Sequence, residues 1–158
     1  MSADLKYLIV PVAYNEEKKI RSVFERILEV TTMENVLLLN DASTDTTPEV
    51  AREFGAKVLT QKKRLGVGAA IRLAINYARS NGFDIIVILA GNDKDRPSDI
   101  PRLVQPIIDG DADFVQGSRY LPGGDFGNMP YYRQLSTRWV HPILMSIVCR
   151  RRITDSTN

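Results

Sequence analysis

Leu5-Lys6-Tyr7-Leu8-Ile9-Val10-Pro11-Val12-Ala13-Tyr14-Asn15-Glu16-Glu17 changes character partway along its length. Residues 5–12 form a nearly continuous apolar run, the pattern of a strand buried on both faces. Beyond it the period changes. Ile20, Val23, Phe24, Ile27 and Leu28 recur at the spacing of one helical stripe, Asn15 stands where a helix cap belongs, and Glu16 and Glu17 lie near the positive helix end. A strand therefore feeds a helix through Ala13-Tyr14-Asn15.

The same unit recurs down the chain. Residues 36–39 are a second short apolar run, followed by the polar cluster Asn40-Asp41-Ala42-Ser43-Thr44-Asp45 and a helix closed by Gly55. Residues 57–60 read as a third strand, and Lys62-Lys63-Arg64-Leu65-Gly66-Val67-Gly68 leads into a helix carrying Ala70, Ile71, Ala74, Tyr77 and Ala78. Residues 84–90 read as a fourth strand, Pro101 sits in the first turn of a helix carrying Leu103, Val104, Ile107 and Ile108, and residues 113–117 are expected to form a fifth strand. Strands alternating with helices pair in parallel, because parallel neighbours need a crossover rather than a tight hairpin. The fold class is α/β: a doubly wound, mainly parallel, Rossmann-like sheet with helices on both faces. Ligands of such sheets bind outside the carboxyl ends of the strands, which directs attention to residues 13–16, 40–43, 61–68, 90–96 and 117–120.

Length and composition agree with one such domain. The chain has 158 residues, 44% hydrophobic and 25% charged, with Gly and Pro dispersed, which excludes disordered, collagenous and coiled-coil classes. Cys149 has no partner for an internal disulfide, and with His141 as the single histidine no Cys/His cluster exists for zinc or haem, so a reduced, cytoplasmic setting is expected. No apolar run approaches the ~18 residues of a spanning helix, and the N-terminus lacks the apolar stretch of a signal peptide. Charge is uneven: residues 1–118 carry 15 basic and 17 acidic side chains, residues 119–158 six and two. The basic end favours an anionic partner.

Three of the strand-end loops carry side chains suited to a nucleotide. A carboxylate at Asp41 can accept from the ring N–H of a uracil or from the N1–H and N2–H of a guanine; it can equally, with Ser43, cap the following helix. Lys62, Lys63 and Arg64 beside Gly66 and Gly68 at a helix start suit a phosphate, although the spacing is not that of a P-loop, and a solvated turn has the same composition. Ala90-Gly91-Asn92-Asp93-Lys94-Asp95-Arg96-Pro97 gathers the hard oxygen ligands that Mg²⁺ or Mn²⁺ prefers. A second Asp-x-Asp, at Asp111 and Asp113, precedes the expected fifth strand and so faces the other end of the sheet.

Taken together these residues resemble family 2 glycosyltransferases of the GT-A fold, and within them the polyprenyl-phosphate (dolichol-phosphate) mannosyl- and glucosyltransferase branch. Val10 to Glu17 is similar to the family's N-terminal signature, Asn40 to Thr47 to its D-D-G-S-x-D-x-T, Leu65 to Ala70 to its N-x-G-x-G-x-A stretch, and Gly117-Ser118-Arg119-Tyr120 to its G-S-R-Y segment. The resemblance implies that Pro11, Tyr14, Glu16, Asn40, Asp41 and Gly66 hold the nucleoside side of a UDP- or GDP-linked sugar. It implies that Gly91, Asn92 and Lys94 line the diphosphate, that Asp93 and Asp95 hold a divalent cation (Mg²⁺ or Mn²⁺), and that Arg119 meets a donor or acceptor phosphate. The reaction it implies is sugar transfer with inversion by in-line attack. A lipid-phosphate acceptor brings its own oxyanion; a hydroxyl acceptor needs a carboxylate base, for which Asp125 is the candidate.

Three positions depart from the family pattern. Asn40 replaces an acid and Ala42 a glycine, and registering Pro97, Asp99 and Ile100 puts Ala90-Gly91-Asn92 where the metal-binding D-x-D stands. Either the loop is rebuilt so that Asp93 or Asp95 reaches the metal, or Asn92 and Lys94 offset the diphosphate charge with little help from a cation.

Residues 139–149 followed by Arg150-Arg151-Arg152 combine apolar side chains with a basic end, as a helix at the cytosolic face of a membrane does; a helix packed on the sheet has the same pattern. Nucleic acid is not expected there, because no aromatic residues are interleaved with the arginines. The expected organisation is a nucleotide-sugar-binding core over residues 1–125 and the start of an acceptor-side, membrane-proximal segment over 126–158, shortened relative to the family. A nucleotide-sugar-binding module without turnover is the alternative.

Overall fold

A computed structural model describes residues 5–121, 124 and 129–150. The chain divides into two compact units between Asp111 and Ala112, each taken by itself below. The first contains β1 (Tyr7–Ala13), α1 (Glu17–Leu28), β2 (Leu37–Asn40), α2 (Thr47–Glu53), β3 (Lys57–Thr60), α3 (Val67–Ser80), β4 (Ile85–Ala90) and α4 (Ile100–Ile108). The four strands form one parallel sheet in the order β3-β2-β1-β4.

β1 is apolar along its length because it is central and covered on both sides. Ile9 and Ala13 join Ile20, Val23, Phe24 and Ile27 of α1, Val50 and Ala51 of α2, and Ile100 and Val104 of α4 in one core. Leu8 and Val10 join Leu37, Leu39 and the Ala70, Ala74 and Ala78 stripe of α3 in the other. Alternation along a strand puts successive side chains into opposite cores, so no polar position remains. The α/β, doubly wound expectation holds.

Pro11 sits inside β1 without breaking the sheet. The carbonyl of Ala13 accepts from Asp41 N–H on the β2 side, and that of Val12 accepts from Gly91 N–H on the β4 side. Pro11 shares the side of Ala13, so its missing N–H falls on the ladder to β2. That ladder is interrupted there, between an isolated Ile9–Val36 bridge and the Val12–Leu39 pair, while the ladder to β4 runs unbroken from Tyr7 to Val12.

Two local expectations are corrected. Residues 113–117 form no strand: Phe114 is 79% exposed and no ladder includes the segment. The run offers two adjacent apolar side chains, Phe114 and Val115, which a strand would send to opposite faces, leaving too little area to bury on either. Asn15 does not cap α1. It adopts φ 53°, Glu16 takes the cap position without a side-chain bond, and the Asn15 amide is spent elsewhere.

The second unit carries a helical rod: α5 (Tyr131–Leu135), a π-helical turn (Ser136–Val140) and α6 (His141–Cys149). Pro142 at the start of α6 lacks the N–H an α-turn would use, which accounts for the widened turn before it. Thr137 is buried and donates to the Arg133 carbonyl at 2.8 Å; its hydroxyl also meets the Tyr120 hydroxyl. Tyr131, Tyr132, Trp139, Ile143, Leu144, Ile147 and Val148 are all exposed. No helix among the described residues is long and apolar enough to cross a membrane.

Candidate functional site

The carboxyl ends of four parallel strands lie at one edge of the first unit, and side chains lock the loops that leave β1 and β2 to each other. Asn15 N–H donates to Ser43 Oγ at 3.0 Å, and the Asn15 carbonyl oxygen accepts from Thr44 N–H at 2.8 Å. Glu16 N–H donates to Thr47 Oγ1 at 2.8 Å and Glu17 N–H to Asp45 Oδ2 at 3.2 Å. In return Glu17 accepts from the Thr46 N–H and hydroxyl. The first turns of α1 and α2 are thus satisfied by each other's flanking residues. Burial pushes the Asp45 carboxyl up, but bonds from Thr47 and the Glu17 N–H outweigh it and hold the group below its ordinary range.

Asp41 ties in the third loop. Buried, its Oδ1 accepts from Gln61 Nε2 at 2.7 Å and Leu65 N–H at 2.9 Å, and its Oδ2 from Gly66 N–H at 2.9 Å. Asp41 does not cap the following helix; its carboxylate pins the loop after β3. Gly66 caps α3 at φ 83°, a conformation that strains other residues. Asn40 is also turned inward, accepting from Ser43 N–H at 3.0 Å and donating to Thr60 Oγ1 at 3.3 Å. The pinned loop carries Arg64, whose guanidinium lies 4.0 Å from the centre of the Tyr14 ring.

The turn after β4 is built differently. Gly91 N–H donates to the Val12 carbonyl at 2.8 Å, and a Cβ on Gly91 would stand 2.7 Å from the Ala13 Cβ, so only glycine fits between the strand ends. Asp93, at φ 61°, gives Oδ1 to Arg26 at 2.6 Å and Oδ2 to Ser22 at 3.0 Å, both on α1. Asp95 Oδ2 accepts from Ala90 N–H at 2.6 Å. Asn92 Oδ1 is buried without a donor, and Lys94 is exposed.

The structure therefore brings Tyr14, Glu16, Asn40, Asp41, Gly66, Gly91, Asn92, Asp93, Lys94 and Asp95 to the strand ends of one sheet, with Pro11 buried two residues inside β1. Glu16 lies 3.5 Å from Lys19. Asp93 and Asp95, the residues expected to hold a cation, are bound to α1 and to the end of β4. No group of three or more His, Cys, Asp or Glu side chains able to hold a metal exists among the described residues, and both oxygens of Asp93 and one of Asp95 are already engaged. Arg119 belongs to the second unit, where Gly124 approaches its backbone so closely that a Cβ would meet the Arg119 carbonyl at 2.5 Å. Asp125 lies outside the described residues. Sequence reasoning singled out Arg64 for a phosphate and not for the Tyr14 ring, and it gave no role to Gln61, Ser22 or Arg26. Gln61, a polar residue at the end of a strand run, carried a readable signal; Ser22 and Arg26 did not.

The Glycosyl transferase family 2 model matches residues 8–155. A UDP-N-acetylglucosamine–dolichyl-phosphate N-acetylglucosaminyltransferase of Methanococcus voltae is 32% identical over 152 residues, covering 85% of this chain and 60% of that protein. An undecaprenyl-phosphate mannosyltransferase of Micrococcus luteus is 27% identical, covering 97% of this chain and 64% of that protein. This chain thus spans somewhat under two thirds of the length of either relative. A crystal structure of glucosyl-3-phosphoglycerate synthase from Mycobacterium tuberculosis, in complex with Mn²⁺, uridine-diphosphate-glucose and phosphoglyceric acid, superposes with a TM-score of 0.58 at 27% identity, over 69% of this chain and 41% of that one.

Proposed function

The chain belongs to glycosyl transferase family 2, and from that premise we propose that it binds a nucleotide-diphospho-sugar across the carboxyl ends of β1, β2 and β4 and transfers the sugar, with inversion, to a polyprenyl phosphate. The observation that carries the donor half is the interlocked rim. Asp41 fixes the loop that lays Arg64 on Tyr14, so an aromatic and cationic wall stands beside the strand ends before any ligand arrives. The names of the two relatives support a lipid-phosphate acceptor, as do the exposed apolar side chains of the second unit's rod and its Arg133, Arg138 and Arg150. These suit peripheral contact with a membrane, on the cytosolic side.

In this reading the transferred sugar's anomeric carbon is attacked in line by an acceptor phosphate oxygen while the bond to the nucleoside diphosphate breaks. The acceptor arrives ionised, so no strong base is required. Negative charge grows on the leaving diphosphate, and Lys94 is assigned to meet it; Arg119, on the second unit, suits a donor or acceptor phosphate through its planar, permanently charged fork. Incubating the chain with labelled UDP- or GDP-hexoses and polyprenyl phosphate tests the proposal. Label passing into the lipid supports it. Nucleotide-sugar binding without transfer replaces it with a binding module, and binding of neither nucleotide-sugar defeats both.

A further inference from the structure

Magnesium-type cations at nucleotide sites are usually held by one or two carboxylates together with the phosphates of the substrate. The turn after β4 has two carboxylates, and both already hold groups of the protein itself. Both oxygens of Asp93 are taken, one by Arg26 and the other by Ser22, and the ion pair is about two thirds buried at each end. Releasing Asp93 to a cation would strand the Arg26 guanidinium against α1. Asp95 closes the turn on Ala90 N–H. Beyond these bonds the turn offers the second oxygen of Asp95 and one neutral oxygen, Asn92 Oδ1, which is buried without a donor, against the roughly six hard ligands that such a cation collects.

The same bonds change the electrostatics that a diphosphate meets. Two unpaired carboxylates would repel it, and a bridging cation would be needed to bring them together. Here the turn's two acids, Asp93 and Asp95, are balanced in sequence by Lys94 and Arg96, and Arg26 adds a further positive charge directly on Asp93. Lys94, exposed and lying in sequence between the two acids, is a cation of the chain itself.

The geometry points to a donor diphosphate received at the β4 turn without a divalent cation, Lys94 supplying the positive charge and the Arg26–Asp93 pair keeping the turn's acids from opposing it. This rests on the transferase reading above, and nucleotide binding is the measurement that separates the two. Calorimetric titration of the chain with UDP and with GDP is run in EDTA and in MnCl₂. The expected result is affinity for a nucleotide that agrees within about twofold between the two buffers. Lys94→Ala weakens it about tenfold while leaving the affinity for the bare nucleoside unchanged. Arg26→Gln, which frees Asp93, lowers affinity in EDTA and makes it recoverable by Mn²⁺. Nucleotide binding that requires Mn²⁺ in the unaltered chain overturns the inference and leaves the transferase reading standing. Loss of bare-nucleoside affinity in Lys94→Ala also overturns it, by showing that Lys94 acts on the fold of the rim. No binding of UDP or GDP in either buffer overturns both readings.

Discussion

The loops after β1 and β2 have almost no regular structure, whereas the rod of the second unit is helical from Tyr131 to Cys149, yet the loops are the more completely specified of the two. In the loops, Asn15, Glu17, Asp41, Ser43, Asp45 and Thr47 all take up bonds with residues distant in sequence, many of them backbone N–H groups. In the rod, backbone bonds are local and most large apolar side chains face outward. Order in a region follows from how many long-range partners its side chains satisfy, and helicity alone does not supply them.

The substitution expected to do most against that contrast is Asp41→Ala. It removes three accepted bonds at once and leaves the Leu65 and Gly66 N–H groups without their partner, at a cost of about 3 kcal/mol in urea unfolding. Nucleotide affinity falls with it, because Arg64 loses its seat over Tyr14. Asp41→Asn sharpens the result: its amide puts N–H donors against at least one N–H donor, so it recovers only part of the loss. A loss below about 1 kcal/mol for the alanine variant would show that the loop is held by something other than this carboxylate.

Gly91→Ala comes next. The added methyl meets Ala13 Cβ at 2.7 Å and the Val12 carbonyl at 2.9 Å, both fixed by the central strand, so the strand ends must separate. Overpacking of this kind costs about 1–3 kcal/mol. The thermal midpoint should fall, and nucleotide affinity with it, since the β4 turn is displaced from β1. An unchanged midpoint would mean that the rim is softer than its bonds suggest.

Much of this architecture could be read from the chain, and the failures have physical causes. β1 and the α1 stripe were legible because burial on two faces writes a continuous apolar run and burial on one face writes a 3.6-residue period. The expected fifth strand had neither: Phe114 and Val115 alone do not define a face. At the rim, the right loops were legible from topology, but the partners were not. Asp93 meets Arg26 across 67 positions of sequence and Asp41 meets Gly66 across 25, and no local pattern announces such pairs. Asn15 misled for the same reason. It has the chemistry of a helix cap, but its positive φ turns the amide to Thr44.

The smallest expected effect on stability belongs to the rod, and it is the most informative about function. Ile147 and Val148 are 70% and 76% exposed, so Ile147→Ser with Val148→Ser removes apolar area that the unit does not bury. Surface changes of this kind stay within about 0.5 kcal/mol, and the urea midpoint should hardly move. Sedimentation with vesicles containing polyprenyl phosphate should respond where stability does not, with the variant retained less than the unaltered chain. If instead the urea midpoint falls clearly and vesicle retention does not, those side chains stabilise the rod by packing and the membrane-facing role assigned to it fails.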